Sequence, residues 1–453
     1  MSRPSGPDAP EGLVIAERAV AMALDAGASQ AEALVVRTTA ALTRFANNEI
    51  HQNVAEDDAS VNLRFVLGQR AGVASGNELD DVALRRLCEA AAAATRVQPE
   101  DSGFASLPGP GTPATVAGAW SDRTAEASPE QRAVAVAAIV AAAEAEGVVA
   151  FGLCRTAAEE VSVANSLGIR ASEPRSSAQL LTVMMGPAGG SGYAERVAVD
   201  VDTLDASEVG HEAAARARES AEPIELPPGD YPVVLLEYAV VDLADMLGWL
   251  GFSALAVQEE RSFFEPGRRI GSPLVTLTDD AADPAGTPAS FDYEGVAKQR
   301  VPLVDAGVCR AVVHDAQTAS REGRTSTGHG LPAPNPWGPF PLNMVMAAGD
   351  TSRADLIGGL ERGMLVTRFH YTNVVHPKQA IITGMTRDGL FLVEAGRIGR
   401  PVRNLRFTQS YLEALAGVEA VSRERRTLEG FLGTAVVPAV RIGSFSFTGT
   451  TEH

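Results

Sequence analysis

The sequence predicts an α+β protein: an N-terminal α/β layered region of α-β-β-β-α type, a pattern that recurs once, followed by a mostly antiparallel, β-rich C-terminal domain. Three observations carry this. Helically spaced apolar residues at 12–26 and 82–94 bracket runs with β character. A second helix-then-strands series occupies 129–185. From Tyr231 onward the chain offers mainly short β-branched runs between turn residues.

Taken in order, Leu13, Ile15, Ala16, Val20, Ala21 and Leu24 fall on one helical face that ends near Gly27. Strand-like runs follow at 33–37, 41–45 and 59–67, with a turn at Asn47-Asn48-Glu49, and then an Ala- and Leu-rich helix at about 82–94. The Leu107–Pro113 stretch has the Pro/Gly composition of a linker, placed at about 103–128. Ser128-Pro129-Glu130-Gln131 opens the next helix with a Ser cap and Pro in the first turn. After it come strand-like 148–155, 160–165 and 178–185, and a helix at about 206–221. Pro227-Pro228-Gly229 marks the boundary between an N-terminal domain, 1–225, and a C-terminal domain, 226–453. Short β-type runs are expected there at 274–277, 301–304, 311–314, 364–369 and 390–393.

Composition narrows the function. The chain has 453 residues, 45% apolar and 21% charged, enough for two or three ordinary globular domains. Its 38 basic and 57 acidic residues give a net charge of −19, which repels phosphate backbones and anionic lipid; no nucleic-acid partner is expected. Cys88, Cys154 and Cys309 are too widely spaced for a disulfide framework or a C-x-x-C metal site, which points to a reducing compartment. Met1–Pro7 is polar, without a secretory apolar core, and the longest plain apolar run, 133–143, is too short to span a bilayer. A cytoplasmic protein without membrane contact is the expectation.

Several motifs invite catalytic readings. His211-Glu212 begins like a zinc-peptidase helix, but Ala215 and Arg216 stand where a second histidine belongs, so a solvent-facing stretch of Ala-rich helix is expected. Gly189-Gly190-Ser191-Gly192 lacks the Lys-Ser/Thr of a phosphate loop and reads as a hairpin turn. Ser326, Thr327 and His329 combine nucleophile and base types. Residues so close in a glycine-punctuated loop seldom hold triad geometry, so a cleft-lining loop is expected. Proline-dense Leu331–Pro341, with Trp337 and Phe340, suits a rigid cleft wall, a partner surface or a loop packed on its own domain.

Arg261-Ser262-Phe263, Thr278-Asp279-Asp280, Phe291–Val296, Thr325–Gly328, Ala348-Gly349-Asp350, Gly363–Thr367, Thr386–Gly389 and Phe391–Ile398 follow one another in an order and spacing. Together they resemble the TldD/PmbA family of cytosolic metallopeptidase subunits, closely through the C-terminal half. Where metal-bearing, TldD-type members carry His-Glu-x-x-x-His, the matching position here reads Glu237-Tyr238-Ala239-Val240-Val241-Asp242. The family makes this a buried helix. Tyr238 replaces the catalytic Glu, so no carboxylate remains to deprotonate a metal-bound water. Glu237 and Asp242 carry oxygens better suited to hard cations than to zinc, and the plainer reading pairs them with Arg or backbone donors. His370 and His376 lie near where TldD-type sequences supply a further ligand from a glycine-rich loop, here replaced by Tyr371-Thr372-Asn373. They complete the set of metal candidates; otherwise they are exposed loop residues.

The resemblance implies a PmbA/TldE-type, non-catalytic subunit with no cofactor of its own. Zinc is expected in a TldD-like partner, and the assembly would enclose and cut unfolded peptide. Arg261, Asp292, Arg324, His329, Asn343 and Asn373 are the candidate substrate-binding residues; the same side chains also suit tying irregular loops together. Two alternatives stand beside this. One is a self-associating, homo-oligomeric peptidase with a divergent metal site at Glu237, Asp242, His370 and His376. The other is a peptide-binding or modulatory protein, since family members are linked by name to DNA gyrase modulation.

Overall fold

A computed structural model describes residues 10–111, 116–431 and 433–451. The polar N-terminal stretch, and Thr112-Pro113 of the linker, lie outside the described residues. The fold is α+β, with 42% strand and 26% helix.

The first layer is α1 (Glu11–Asp25), β1 (Gln30–Ala46), β2 (Glu49–Leu67), β3 (Arg70–Gly76) and α2 (Asp81–Val97). A short α3 (Asp122–Ala125) precedes the second series: α4 (Pro129–Glu146), β4 (Val149–Asn165), β5 (Arg170–Met185), β6 (Ser191–Ala198) and α5 (Ala206–Glu219). The six strands form one antiparallel sheet in the order β3-β2-β1-β4-β5-β6. The two halves thus share one connectivity and meet where their first strands, β1 and β4, pair antiparallel from Glu32↔Asn165 to Phe45↔Gly152.

Local chemistry explains the helix ends. Ser128 and Gln131 form a reciprocal capping box, Pro129 occupies the first turn, and Gly147 closes α4 in the left-handed conformation. The runs at 33–37 and 41–45 are a single strand, as are 148–155 and 160–165. The third strand of each half, β3 and β6, is glycine- and alanine-rich and was not foreseen. Gly189 and Gly190 turn the β5–β6 hairpin, as expected, and a Cβ on Gly192 would stand 2.0 Å from the Ala213 carbonyl oxygen, so only glycine lets β6 lie against α5.

All four long helices pack on one face of this sheet. Ala31, Ala33 and Val35 meet α1 and α2, while Phe45, Ala150 and Cys154 meet α4 and α5. The opposite face, through Leu34, Val161, Val163 and Ala171, packs on Phe291, Tyr293 and Val296 of the C-terminal half.

That half contains β7 (Gly229–Leu235), α6 (Glu237–Gly251), α7 (Ala254–Gln258), β8 (Leu277–Asp279), β9 (Val301–Asp305), β10 (Val308–Cys309), α8 (Ala316–Arg321), β11 (Asn343–Met346) and α9 (Arg353–Gly358). It continues with β12 (Arg362–His376), β13 (Ile381–Glu394), β14 (Arg397–Pro401), β15 (Leu405–Ser410), α10 (Tyr411–Ala416), β16 (Val418–Glu429) and β17 (Thr434–Thr450). The expected strand at 311–314 is absent; Val313 makes only an isolated bridge to Ser253. β7, β12, β13, β15 and β17 pair in succession and close on themselves. Phe369, Phe407 and Phe445 pack against one another within this ring, with centroids 4.5–5.4 Å apart, one pair stacked, one tilted and one edge-to-face. No helix among the described residues is long and apolar enough to cross a membrane.

Candidate functional site

β7 delivers the chain to Leu236, and α6 starts at Glu237 with nearly every side chain buried, as an all-round apolar helix requires. Its head holds Glu237, Tyr238 and Asp242, the residues that the sequence resemblance sets against a metal motif, and each is already engaged. The Glu237 carboxylate accepts from the Arg353 guanidinium of α9, at 3.1 Å from Nε and more closely from Nη2. Its second oxygen, Oε2, is buried without a partner among the described residues.

The Tyr238 hydroxyl accepts from Arg426 Nη1 at 2.7 Å and Arg196 Nη1 at 3.0 Å, and donates to Glu212 Oε1 at 3.3 Å. Glu212 in turn binds Arg426 at 2.6 Å and Arg196 at 2.8 Å. The expected solvent-facing reading of His211-Glu212 therefore holds for exposed His211 and fails for Glu212, which turns inward to two arginines. Burial pushes the Tyr238 phenol up to about 12, with Glu212 adding to the effect and the arginines opposing it.

Asp242 accepts from the Tyr411 hydroxyl at 2.7 Å and the Thr372 hydroxyl at 2.6 Å, neither an Arg nor a backbone donor. Burial raises its pKa against those two bonds. His370 meets the Tyr371 ring edge-on and is not brought to the acids, and His376 Nδ1 accepts from the Gln379 N–H within its own turn. Among the described residues, no group of three or more His, Cys, Asp or Glu is placed to hold a metal, so the four-residue divergent site does not assemble. With a guanidinium on Glu237 and no imidazole grouped with these acids among the described residues, the donor set at the head of α6 is ill matched to zinc.

One turn further on, Asp245 opens onto a cavity of about 420 Å³ walled by Tyr193, Trp249, Phe369 and Phe431, with Arg368 and Asn373 also on the lining. Asp245 Oδ2 accepts the Phe431 N–H at 2.6 Å, and burial, helped by Asp242, pushes its carboxyl up to about 7. A Cβ on Gly430 would lie 2.3 Å from that oxygen, which is why glycine stands there.

Residues 429–431 also line a second cavity, about 380 Å³, between the free face of the six-stranded sheet and the C-terminal half. Asp292, His329 and Asn343 border it. Asp292 accepts from the N–H groups of Gly330 (2.6 Å), Val296 (2.9 Å) and Glu294 (3.0 Å); burial, then Glu294, push its carboxyl up to about 8 against these donors. His329 Nε2 lies 2.8 Å from Asp279 Oδ1 and Nδ1 lies 2.9 Å from the Thr327 hydroxyl. A hydroxyl–imidazole–carboxylate chain thus forms where the loop spacing argued against one. It is a tie rather than a relay: the imidazole is fully buried, and the Thr327 oxygen accepts the His314 N–H at 2.7 Å. Burial lowers the His329 pKa. Burial would raise Asp279, but His329, Lys298 and the Asn343 N–H hold its carboxyl below the usual range.

The six substrate candidates consequently do not form one site. Asp292, His329 and Asn343 share the inter-layer cavity, and Asn373 borders the α6 cavity. Arg261 is exposed and pairs with Glu259 at 2.5 Å; exposed Arg324 pairs with Glu322 at 3.2 Å beside a separate hollow near His314. Sequence reasoning missed Asp245, although it stands one helical turn from Asp242, and Lys298, although it is one of only two lysines in the chain. It also missed Arg196, Arg353 and Arg426.

The two-layer N-terminal sheet, the closed strand ring and the buried α6 describe a PmbA/TldD-type metallopeptidase fold. The sequence matches the PmbA/TldA metallopeptidase C-terminal domain over residues 228–449 and PmbA/TldA metallopeptidase domain 1 over residues 31–95. The chain belongs to the TldD/PmbA family. In structure it is similar to TldE from Thermococcus kodakarensis, with a TM-score of 0.89 and 22% identity over 96% of this chain and 100% of that one. In sequence it is similar to a metalloprotease TldD homolog of Haemophilus influenzae, 26% identical over 47% of this chain and 44% of the relative. A metalloprotease of Methanocaldococcus jannaschii is 25% identical over 46% of each chain. The match spans about half the length of these curated relatives.

Proposed function

We propose that this chain is a PmbA/TldE-like, non-catalytic subunit that holds unfolded peptide for a TldD-like partner, the partner supplying zinc and the general base. The observation that carries the reading is the state of the α6 head. Glu237 is bound by Arg353, Tyr238 is tied to two arginines, and Asp242 is held by two hydroxyls, leaving no free donor set at the head of the helix. The aromatic walls of the α6 cavity, and the second cavity that adjoins it across residues 429–431, supply apolar and hydrogen-bonding surface for an extended chain. The test is reconstitution: mixed with a TldD-like subunit bearing His-Glu-x-x-x-His, this chain should raise hydrolysis of an unstructured peptide above that of the partner alone. Chelator-sensitive cleavage by the isolated chain would instead establish a self-sufficient peptidase.

A further inference from the structure

Lys298 lies in the wall of the inter-layer cavity, its side chain only 5% exposed. Its Nζ makes no hydrogen bond with any described residue; the nearest carboxylate oxygen in an ion pair, Asp279 Oδ1, is 4.0 Å away. The acids around it are spent elsewhere. Asp279 Oδ1 binds His329 and Oδ2 accepts the Asn343 N–H at 2.8 Å, while both Asp292 oxygens accept backbone N–H groups. A second cation on the same lining, half-buried Arg155, also has no partner among the described residues. A third, Arg175, is held by Glu173 and by the Phe291 carbonyl.

A nearly buried lysine ammonium with three donors and no hydrogen-bond acceptor among the described residues is an arrangement that an anionic acceptor in the cavity would relieve. A carboxylate matches it in charge and in the number of lone pairs it can offer. We infer that the inter-layer cavity takes the terminal carboxylate of a peptide, with Lys298 as its counter-ion and Arg155 as a second donor. Recognition of a carboxylate follows from the donors; its source in a peptide rests on the function proposed above. The volume, about 380 Å³, lies within the range of about 300–1,000 Å³ typical of small-ligand pockets and admits a chain end rather than a folded domain. Exposed Glu429 and half-buried Glu159 on the lining disfavour a second acidic group near the terminus. Burial lowers the Lys298 pKa while Asp279 and Asp292 oppose that shift, and a bound carboxylate would add to the opposition.

The test compares an N-terminally fluorescein-labelled, unstructured decapeptide ending in a free carboxylate with the same peptide amidated, by anisotropy, on wild type, Lys298→Met and Arg155→Gln. The free acid should bind at least 10-fold tighter than the amide to wild type. Lys298→Met should abolish that difference without weakening the amide, and Arg155→Gln should shrink it. Arg155→Gln, on a half-buried strand residue whose side chain has no partner among the described residues, serves if the lysine variant proves unstable. Equal binding of acid and amide, or a preference that survives both substitutions, overturns the inference. Should neither peptide bind, N-acetylglycine separates the remaining cases by calorimetry: binding lost in Lys298→Met leaves a carboxylate site but refutes its peptide occupant and the proposed function, and no binding refutes the site itself.

Discussion

Asp245 offers the sharpest test of the α6 cavity. Its carboxyl is enclosed, receives one backbone N–H from Phe431, and stands one turn from Asp242, so its pKa is raised to about 7. The protonated acid is therefore favoured in the folded state over the unfolded chain, where Asp titrates near 3.9. For a raised pKa the contribution to stability is fully present below the unfolded value and is lost as pH rises through the folded one. Asp245→Asn, a neutral isostere able to accept the same N–H, escapes that loss. At roughly 1.4 kcal/mol per pKa unit, the variant should gain about 1–2 kcal/mol over wild type at pH 5 and about 4 kcal/mol at pH 8, as an upper bound. Urea unfolding of both proteins at pH 5, 6, 7 and 8 reads this directly. Parallel stability profiles, with a gap that does not widen above pH 5, would show that Asp245 ionises freely and that the cavity is wetter than its lining implies.

The Glu237–Arg353 pair should respond asymmetrically: Arg353→Ala strands a carboxylate only 1% exposed and should cost about 3 kcal/mol, whereas Glu237→Gln leaves a 30% exposed guanidinium free to turn to solvent and should cost under about 1 kcal/mol, read by urea unfolding at pH 7. Tyr411→Phe removes one of the two hydroxyls on Asp242 and should destabilise by about 1.5–3 kcal/mol in the same assay. Because a ligand that binds only the folded state raises its melting temperature, neither equimolar zinc nor a chelator should shift the Tm of the isolated chain; a zinc-dependent rise would mean that the α6 head rearranges to accept the ion.

What the sequence disclosed, and what it did not, follows the range of the interactions. Helix Pro129–Glu146 was readable to its ends because Ser128, Pro129, Gln131 and Gly147 are local signals. Strand β1 was read as two pieces because its middle, Thr38–Ala41, runs between the two helix-packed cores and is half-buried on both faces, so no alternation survives there. β3 and β6 carry small residues whose strand state comes from their neighbours. At the site, Glu237, Tyr238 and Asp242, which the sequence resemblance set against a metal motif, lie within six consecutive residues of one helix. The residues that occupy those side chains do not: Arg353 is 116 positions from Glu237, Tyr411 is 169 from Asp242, and Arg426 is 188 from Tyr238. No periodicity encodes such pairings, and the same holds for the convergence of Asp292, His329 and Asn343 on one cavity while Arg261 and Arg324 remain outside it.

The chemistry at position 238 bears on what this helix can do. A general base works best with a pKa near the working pH and a lone pair directed at its proton. The Tyr238 oxygen meets neither condition: its pKa is pushed up to about 12, and its lone pairs are taken by Arg426 and Arg196. Those arginines come from β16 and β6, and Glu212, which both of them bind, comes from α5, so the cluster joins the head of α6 to the N-terminal sheet and its helix. Such a network of partly buried, charge-assisted bonds fixes the relative placement of the two layers, and with it the shape of both cavities on either side of residues 429–431. A substitution at Tyr238 should therefore alter the shape of both cavities through geometry, by loosening the arginine pairs that join the two halves of the chain.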